Sequence, residues 1–217
     1  MANIDMNKVI PIAEGHEIWA ARGKAIQAYA NLEQSFATLF AGLSDASIRT
    51  AAIVLFRITN SDARNKILEK LFRQKFQEEL KEFRKSLFSQ LRPIDIERNE
   101  IVHWNAACHM GLDEDGQETA NVFLMPPASL TAVASDTPTK DIHAIKAFSA
   151  KCRFYSSLIN MFCSVECRTF EQALPDEVTR PWRDIFAREI VYPPPMEHPL
   201  FPQQNALENY IQAFIVR

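Results

Sequence analysis

The sequence predicts an all-α protein: a helical bundle of about four to five long helices, with a short β or loop insertion and a proline-rich C-terminal extension. The chain has 217 residues, of which 47% are hydrophobic, and this is enough to form a substantial core. Its 5 glycines and 15 phenylalanines indicate few turns and many bulky apolar side chains. Long stretches with apolar residues at spacings of three and four favour helices and make an all-β barrel improbable.

The first two predicted helices lie before residue 60. Residues 14–43 carry apolar side chains at helical spacing over many turns, which predicts one long amphipathic helix. Residues 45–58 are expected to form the second helix, with Ser44 as its N-cap. The run from Ala51 to Phe56 has no polar side chain, so we expect this helix to lie in the middle of the bundle.

Proline positions set the expected limits of the later helices. A third helix is predicted over 62–90. We expect it to end at Arg92-Pro93, because a proline disfavours the helical conformation of the residue before it. A fourth helix is expected over about 93–110. Residues 121–125 are predicted to form a short strand, and a fifth helix is expected over 137–174, with a Thr-Pro pair as its cap and first residue.

The last part of the chain differs in composition. Seven of the 12 prolines lie after residue 174, which excludes a long helix there and indicates an extended chain that packs on the bundle or on a second subunit. Two short helices are predicted within it, over about 181–190 and 203–215. The predicted domains are therefore a helical bundle, residues 1–174, and an extension, residues 175–217.

Charge alone does not indicate the function. The overall charge is −3, so the chain as a whole is not a polycation that would bind nucleic acid. One segment is basic, because residues 64–92 contain nine Lys or Arg and four Glu, a net charge of +5. It is either a solvated helix face with i,i+4 ion pairs or a surface that attracts phosphate groups, and the sequence leaves both interpretations open.

The sequence shows no signal peptide, no membrane-spanning stretch and no paired-cysteine motif, and these absences predict the location and the cofactors. The N-terminus has no signal-peptide pattern, and charges interrupt each apolar stretch before it reaches membrane-spanning length, so we expect a soluble cytoplasmic protein without membrane contact. The four cysteines show no CxxC spacing, which predicts reduced, mostly buried thiols. Cys163 and Cys167 lie one helical turn apart, but free cysteines mostly act as small hydrophobic residues. We therefore expect no metal ion and no cofactor.

One short segment combines residues that suit phosphodiester cleavage: Arg98, Asn99 and His103. In a helix, Asn99 and His103 lie about 40° apart on one face, whereas Arg98 lies about 140° from His103. An arginine fork matches a phosphate, histidine exchanges protons near neutral pH, and asparagine orients either partner. Arg98 could wrap toward His103, or it could meet the His103 of a symmetry-related subunit.

This R-N-x-x-x-H motif resembles that of the HEPN superfamily, the all-helical domains of prokaryotic toxins, defence nucleases and some eukaryotic RNases. The resemblance covers about residues 14–172, including the long helices before the motif, and leaves the extension without a counterpart. It implies a metal-independent endoribonuclease in which the 2′-hydroxyl of the RNA attacks the adjacent phosphate. His103 would move the proton, Arg98 would neutralise the transition state, and Asn99 would hold the phosphate or fix the His tautomer.

The resemblance also implies partners. A homodimer would bring two motif helices together across a two-fold axis, with RNA in the cleft between them. Toxins of this family are often neutralised by a small antitoxin, for which the sequence shows no docking motif. The side chains expected to contact RNA are Arg64, Arg73, Arg84, Lys85, Arg92 and Trp104.

Other interpretations of the same residues remain open. Arg98 and Asn99 could form a hydrogen-bond cluster with Asp95 and Glu97, and His103 could be an interface histidine with satisfied hydrogen bonds. Trp104 could serve core or dimer packing instead of base stacking. The protein would then be a catalytically silent HEPN-like dimeric scaffold or regulatory partner, or a helical protein-interaction module unrelated to nucleic acid.

Overall fold

The computed structural model describes residues 9–11, 16–112, 116, 118–127, 137–167 and 175–201. These residues form six α-helices and four β-strands. In chain order they are β1 (Val9–Pro11), α1 (His16–Ser44), α2 (Ile48–Leu55), α3 (Ser61–Phe76), α4 (Lys81–His103), β2 (Asn105–Leu112), β3 (Glu118–Met125), β4 (Lys140–Asp141), α5 (Ile142–Val165) and α6 (Asp176–Phe186). The protein is therefore mostly helical, as predicted, with a small sheet that is larger than the expected β insertion.

The chain divides into two compact units. The first unit takes its residues from Met1–Tyr29 and Ile96–Ser149, and the second takes them from Ala30–Asp95 and Ala150–Arg217. Helices α1, α4 and α5 contribute residues to both units. The division predicted from proline content, at residue 174, stays a prediction.

The first unit contains the antiparallel sheet, with strand order β1-β2-β3-β4. Strands β2 and β3 pair along their whole length, from Asn105 opposite Met125 to Leu112 opposite Glu118. The predicted strand 121–125 is confirmed within β3. The fourth helix, expected to reach Met110, instead ends at His103, because β2 pairs with both β1 and β3. Three consecutive buried residues in β2, Ala106, Ala107 and Cys108, hide the alternation that marks a strand.

The start of α5 also differs from the prediction. Residues 137–139 are not helical, and β4 pairs with β3 before the helix begins at Ile142. The Asp141 Oδ1 atom accepts a hydrogen bond from the Ala144 amide at 2.7 Å, so Asp141 takes the capping role expected of Thr137. Helix α5 ends at Val165, earlier than the predicted end near residue 174, because residues 166 and 167 form a turn and a bend; residues 168–174 lie outside the described residues.

The break between the third and fourth helices lies at residues 77–80. Two of these non-glycine residues have φ values of 50° and 52°, in the left-handed region, which ends α3. Helix α4 then continues through Pro93, so the break predicted at Arg92-Pro93 is wrong. An interior proline costs about 3 kcal/mol, and burial of the neighbouring Leu91 and Ile94, about 1.5–3 kcal/mol each, offsets this cost.

Helix α2 is shorter and more exposed than predicted. Its N-cap is Ser47, whose Oγ accepts from the Thr50 amide at 3.1 Å, and not Ser44. Only Ala51 and Leu55 of the helix are buried, so it does not lie in the middle of a bundle. Among the described residues, no single helix is both long and apolar enough to cross a membrane, although the sharply bent pair of α1 and α2 reaches that length and composition when taken together.

The exposure of α2 predicts a contrast in stability. Ile53 is 61% exposed, and we expect Ile53→Ser to change the free energy of unfolding by less than about 0.5 kcal/mol. Leu55 is fully buried, and Leu55→Ala is expected to lower that free energy by about 2–5 kcal/mol. Urea denaturation of both variants measures the difference. Equal losses would show that Ile53 has a packing partner outside the described residues.

The core of the second unit is an aromatic cluster. The Phe162 ring of α5 lies 5.0 Å from that of Phe72, 5.2 Å from Phe83 and 5.2 Å from Phe186, measured between centroids. Phe186 belongs to α6, which begins earlier than the helix predicted over 181–190. Helix α6 therefore packs within this unit. So does the chain after it, since the Ile190 amide donates a hydrogen bond to Ser86 Oγ at 2.9 Å and the His198 ring lies 5.5 Å from that of Phe154. The helix predicted over 203–215 lies outside the described residues.

Candidate active site

The motif residues lie in the last two turns of α4, within the first unit. Arg98 is partly exposed, and Asn99 and His103 are exposed. The Arg98 Nη1 atom donates a hydrogen bond to Asn99 Oδ1 at 3.0 Å. Of the two roles predicted for Asn99, holding the phosphate or fixing the histidine, the geometry supports neither directly, because its carbonyl oxygen holds the guanidinium of Arg98.

Arg98 is also held by an aromatic ring. Its guanidinium carbon lies 5.3 Å from the ring centroid of Tyr29, which is buried at the end of the first-unit part of α1. This distance is within the range of a cation–π contact. No carboxylate among the described residues pairs with Arg98, so its positive charge remains available to an anion.

His103 is the last residue of α4. Its imidazole is exposed and has no hydrogen-bond or ion-pair partner within the part of the chain that the structure describes. The alternative of a histidine with satisfied hydrogen bonds is therefore not supported by contacts within one subunit. The side chain is therefore accessible to a substrate from solvent.

Two glutamates, one beside the motif and one within it, share an ion pair with a single lysine. Lys140 Nζ lies 3.0 Å from a carboxylate oxygen of Glu100 and 3.6 Å from one of Glu97. The same ammonium lies 5.9 Å from the ring centroid of Trp104, which is partly buried. Glu97 therefore pairs with Lys140. Trp104 contacts the ammonium group of Lys140, and its predicted contact with RNA stays a prediction.

One side chain near the motif, Arg22, was not predicted from the sequence. Arg22 of α1 donates a hydrogen bond from Nη2 to the carbonyl oxygen of Val102, and its guanidinium carbon lies 5.1 Å from the ring centroid of Trp19. Partial burial lowers the pKa of Arg22. The sequence does indicate that Arg22 faces the interior, because it falls at helical spacing between the buried residues Ile18, Ala25 and Tyr29.

The other residues expected to contact RNA divide into buried and exposed groups, and all five lie in the second unit. Arg64 is buried, with its Nη1 atom 2.8 Å from Glu33 Oε1, and Arg84 is buried, with a 3.4 Å hydrogen bond to the Gln77 carbonyl. These two guanidinium groups bind partners in the interior of the unit and are not exposed to solvent as an RNA-binding surface would be. The three exposed side chains are Arg73, Lys85 and Arg92.

The described residues offer no metal site. They contain no group of three or more His, Cys, Asp or Glu side chains that could hold a metal ion. A hydrogen bond with Cys167, together with burial, raises the pKa of the Cys163 thiol. Burial thus favours the protonated thiol at Cys163, and Cys108 and Cys152 are buried and not in disulfides, as the cysteine spacing predicts.

Comparison with known proteins gives no family for this chain. No family model matches it, and no curated protein or solved structure is significantly similar to it.

Proposed function

We propose that this protein is a metal-independent endoribonuclease whose catalytic residues are Arg98, Asn99 and His103. The observation that carries the proposal is the state of the two reactive groups. Within the part of the chain that the structure describes, Arg98 has no carboxylate partner and His103 has no hydrogen-bond or ion-pair partner. Arg98 is oriented by Asn99 and Tyr29, and both motif residues lie on α4, where His103 is exposed. A fixed cation without a counter-charge and a free imidazole are the groups that phosphodiester cleavage requires.

The chemistry of the proposal follows from the RNA itself. The 2′-oxygen forms a bond to the adjacent phosphorus, and the bond from phosphorus to the 5′-oxygen breaks. The His103 imidazole removes the proton of the 2′-hydroxyl, and the imidazolium that this forms gives the proton to the leaving 5′-oxygen. Arg98 stabilises the additional negative charge on the phosphorane oxygens, and Asn99 keeps its guanidinium in place. The products are a 2′,3′-cyclic phosphate and a 5′-hydroxyl end.

A homodimer accounts for the directions of these side chains. Arg98 and His103 lie about 140° apart around α4, and Arg98 is turned toward Asn99 and Tyr29. A single subunit therefore does not direct both groups at one phosphate. In the proposed dimer, a two-fold axis beside the end of α4 supplies the His103 of one subunit to the Arg98 of the other.

Cleavage in the presence of EDTA tests the activity. Purified protein is expected to cut single-stranded RNA in EDTA and to leave 2′,3′-cyclic phosphate and 5′-hydroxyl ends, as end-group analysis would show. An oligonucleotide with the same sequence and 2′-deoxyribose throughout is expected to remain intact. Cleavage of the deoxy strand, or loss of activity in EDTA, would contradict the mechanism. RNA binding without cleavage would instead support the silent scaffold.

Mixing two inactive variants tests the composite site. If Arg98 and His103 act across the interface, a mixture of Arg98→Ala and His103→Ala subunits is expected to recover about a quarter of the wild-type activity, because half of the randomly formed dimers carry one intact site of two. Native mass spectrometry, with one of the two variants labelled uniformly with ¹⁵N, confirms subunit exchange. If exchanged dimers remain inactive, the two residues do not complement each other across the interface. A monomer as active as the dimer would also exclude the composite site.

A further inference from the structure

The first-unit part of α1 places a second arginine beside the end of α4. Arg22 bonds to the carbonyl oxygen of Val102, the residue immediately before His103. A carbonyl oxygen lies about 3 Å from the Cα of the following residue. The Arg22 guanidinium therefore lies next to the main chain of His103 within the same subunit, and no feature of the R-N-x-x-x-H motif includes it.

The charge of Arg22 has no counter-charge within the described residues. Two other buried or partly buried cations, Arg64 and Lys140, are ion-paired, with Glu33 and with two glutamates respectively. Within the described ranges, the partners of Arg22 are a main-chain carbonyl and an aromatic ring, and burial lowers its pKa. A guanidinium has five N–H donors, and one bond to a carbonyl leaves most of them for an anion. Such a cation fits a phosphate group.

Trp19 completes this arrangement. Its indole lies against the Arg22 guanidinium and is 39% exposed, an unusual exposure for the largest apolar side chain. Proteins that bind single-stranded nucleic acid use exposed aromatic rings as stacking surfaces for bases, beside cations that contact the phosphates. An aromatic ring, and an arginine that has no carboxylate partner among the described residues, lie next to the main chain of the proposed catalytic histidine, and together they match one nucleotide: a base and its phosphate.

We propose that Trp19 and Arg22 form a nucleotide subsite adjoining His103, in which Trp19 stacks on one unpaired base and Arg22 binds the phosphate beside it. This inference rests on the proposed function for the identity of the ligand, single-stranded RNA. The subsite disfavours duplex RNA, because a base within a duplex is already stacked and paired.

A purely structural role for Arg22 has to be separated from ligand binding. The carbonyl of Val102 lies in the last turn of α4, where carbonyl groups lack helical partners, so Arg22 also caps this helix. Arg22→Gln retains an N–H donor for the carbonyl and removes the charge. Arg22→Lys retains both a donor and the charge. Lys24→Gln is the matched control, because Lys24 is an exposed cation on the same helix without a partner in the described residues.

The experiment measures binding of a short, labelled 2′-O-methyl RNA strand, which cannot undergo 2′-hydroxyl attack, by fluorescence anisotropy over a range of salt concentrations. Arg22→Gln is expected to weaken binding and to reduce the slope of log K against log[salt] by about 0.7, the value for one phosphate contact on a single strand. Trp19→Ala is expected to weaken binding about 5- to 150-fold, the contribution of one stacked base. Arg22→Lys is expected to keep the wild-type slope, and Lys24→Gln is expected to keep both slope and affinity.

Each outcome decides the proposal. A wild-type slope for Arg22→Gln, with only its thermal midpoint lowered, would show that Arg22 is a helix cap and would overturn the subsite. If Arg22→Gln does not fold, the Trp19→Ala variant decides alone: wild-type RNA affinity in this variant would overturn the proposed subsite. Wild-type protein that cleaves RNA while these variants bind normally would refute the subsite and leave the proposed function intact. The expected binding pattern in a protein that cleaves no RNA would support the subsite and refute the endoribonuclease.

Discussion

His103→Ala is expected to lower the rate of RNA cleavage by about 10²- to 10⁴-fold, the usual contribution of a general acid or base. The free energy of unfolding is expected to change by less than about 0.5 kcal/mol, because the imidazole is exposed and has no partner among the described residues. Single-turnover cleavage and urea denaturation measure the two quantities. His143→Ala is the matched control, since His143 is an exposed histidine on α5 outside the motif.

Arg98→Ala extends this prediction. Loss of one preorganised donor to a transition-state oxyanion costs about 10²- to 10³-fold in rate, and Arg98→Lys is expected to recover only part of it, because an ammonium lacks the planar fork. A His103→Ala or Arg98→Ala protein that cleaves RNA as fast as the wild type would remove the catalytic assignment. A His143→Ala protein that loses activity would indicate that the effect does not depend on the motif.

Phe162→Ala is expected to cause the largest loss of stability, about 3–5 kcal/mol. The Phe162 ring is fully buried and contacts the rings of Phe72, Phe83 and Phe186, so its removal leaves a cavity that three separate elements would have to fill. This loss is comparable to the entire stability of a marginal domain. Urea denaturation measures it where the variant still folds, and the soluble yield does so otherwise.

Phe56→Ala is the control for this effect. Phe56 is 48% exposed after the end of α2, so the same change of side chain is expected to cost much less. Equal destabilisation by the two substitutions would show that the aromatic cluster is not the dominant core of the second unit. A Phe162→Ala protein of wild-type stability would lead to the same conclusion.

The local pattern of side chains determined much of the helical structure. The apolar spacing over 14–43 predicted α1 to within two residues at its start and one at its end, and the apolar run at 121–125 identified β3. The R-N-x-x-x-H spacing correctly placed Asn99 and His103 about one turn apart on a helix. These features depend on residues within a few turns of each other, and for that reason the sequence alone displays them.

Contacts between distant parts of the chain decided the rest. Residues 105–112 form a strand because two other strands pair with them, and the Arg64 side chain is an interior group because Glu33, 31 residues away along the chain, pairs with it. Arg22 joins the candidate site through a bond to Val102, 80 residues away along the chain. Periodicity shows which face of an element is apolar, but not which element covers that face, and so the surroundings of the site depend on the tertiary structure.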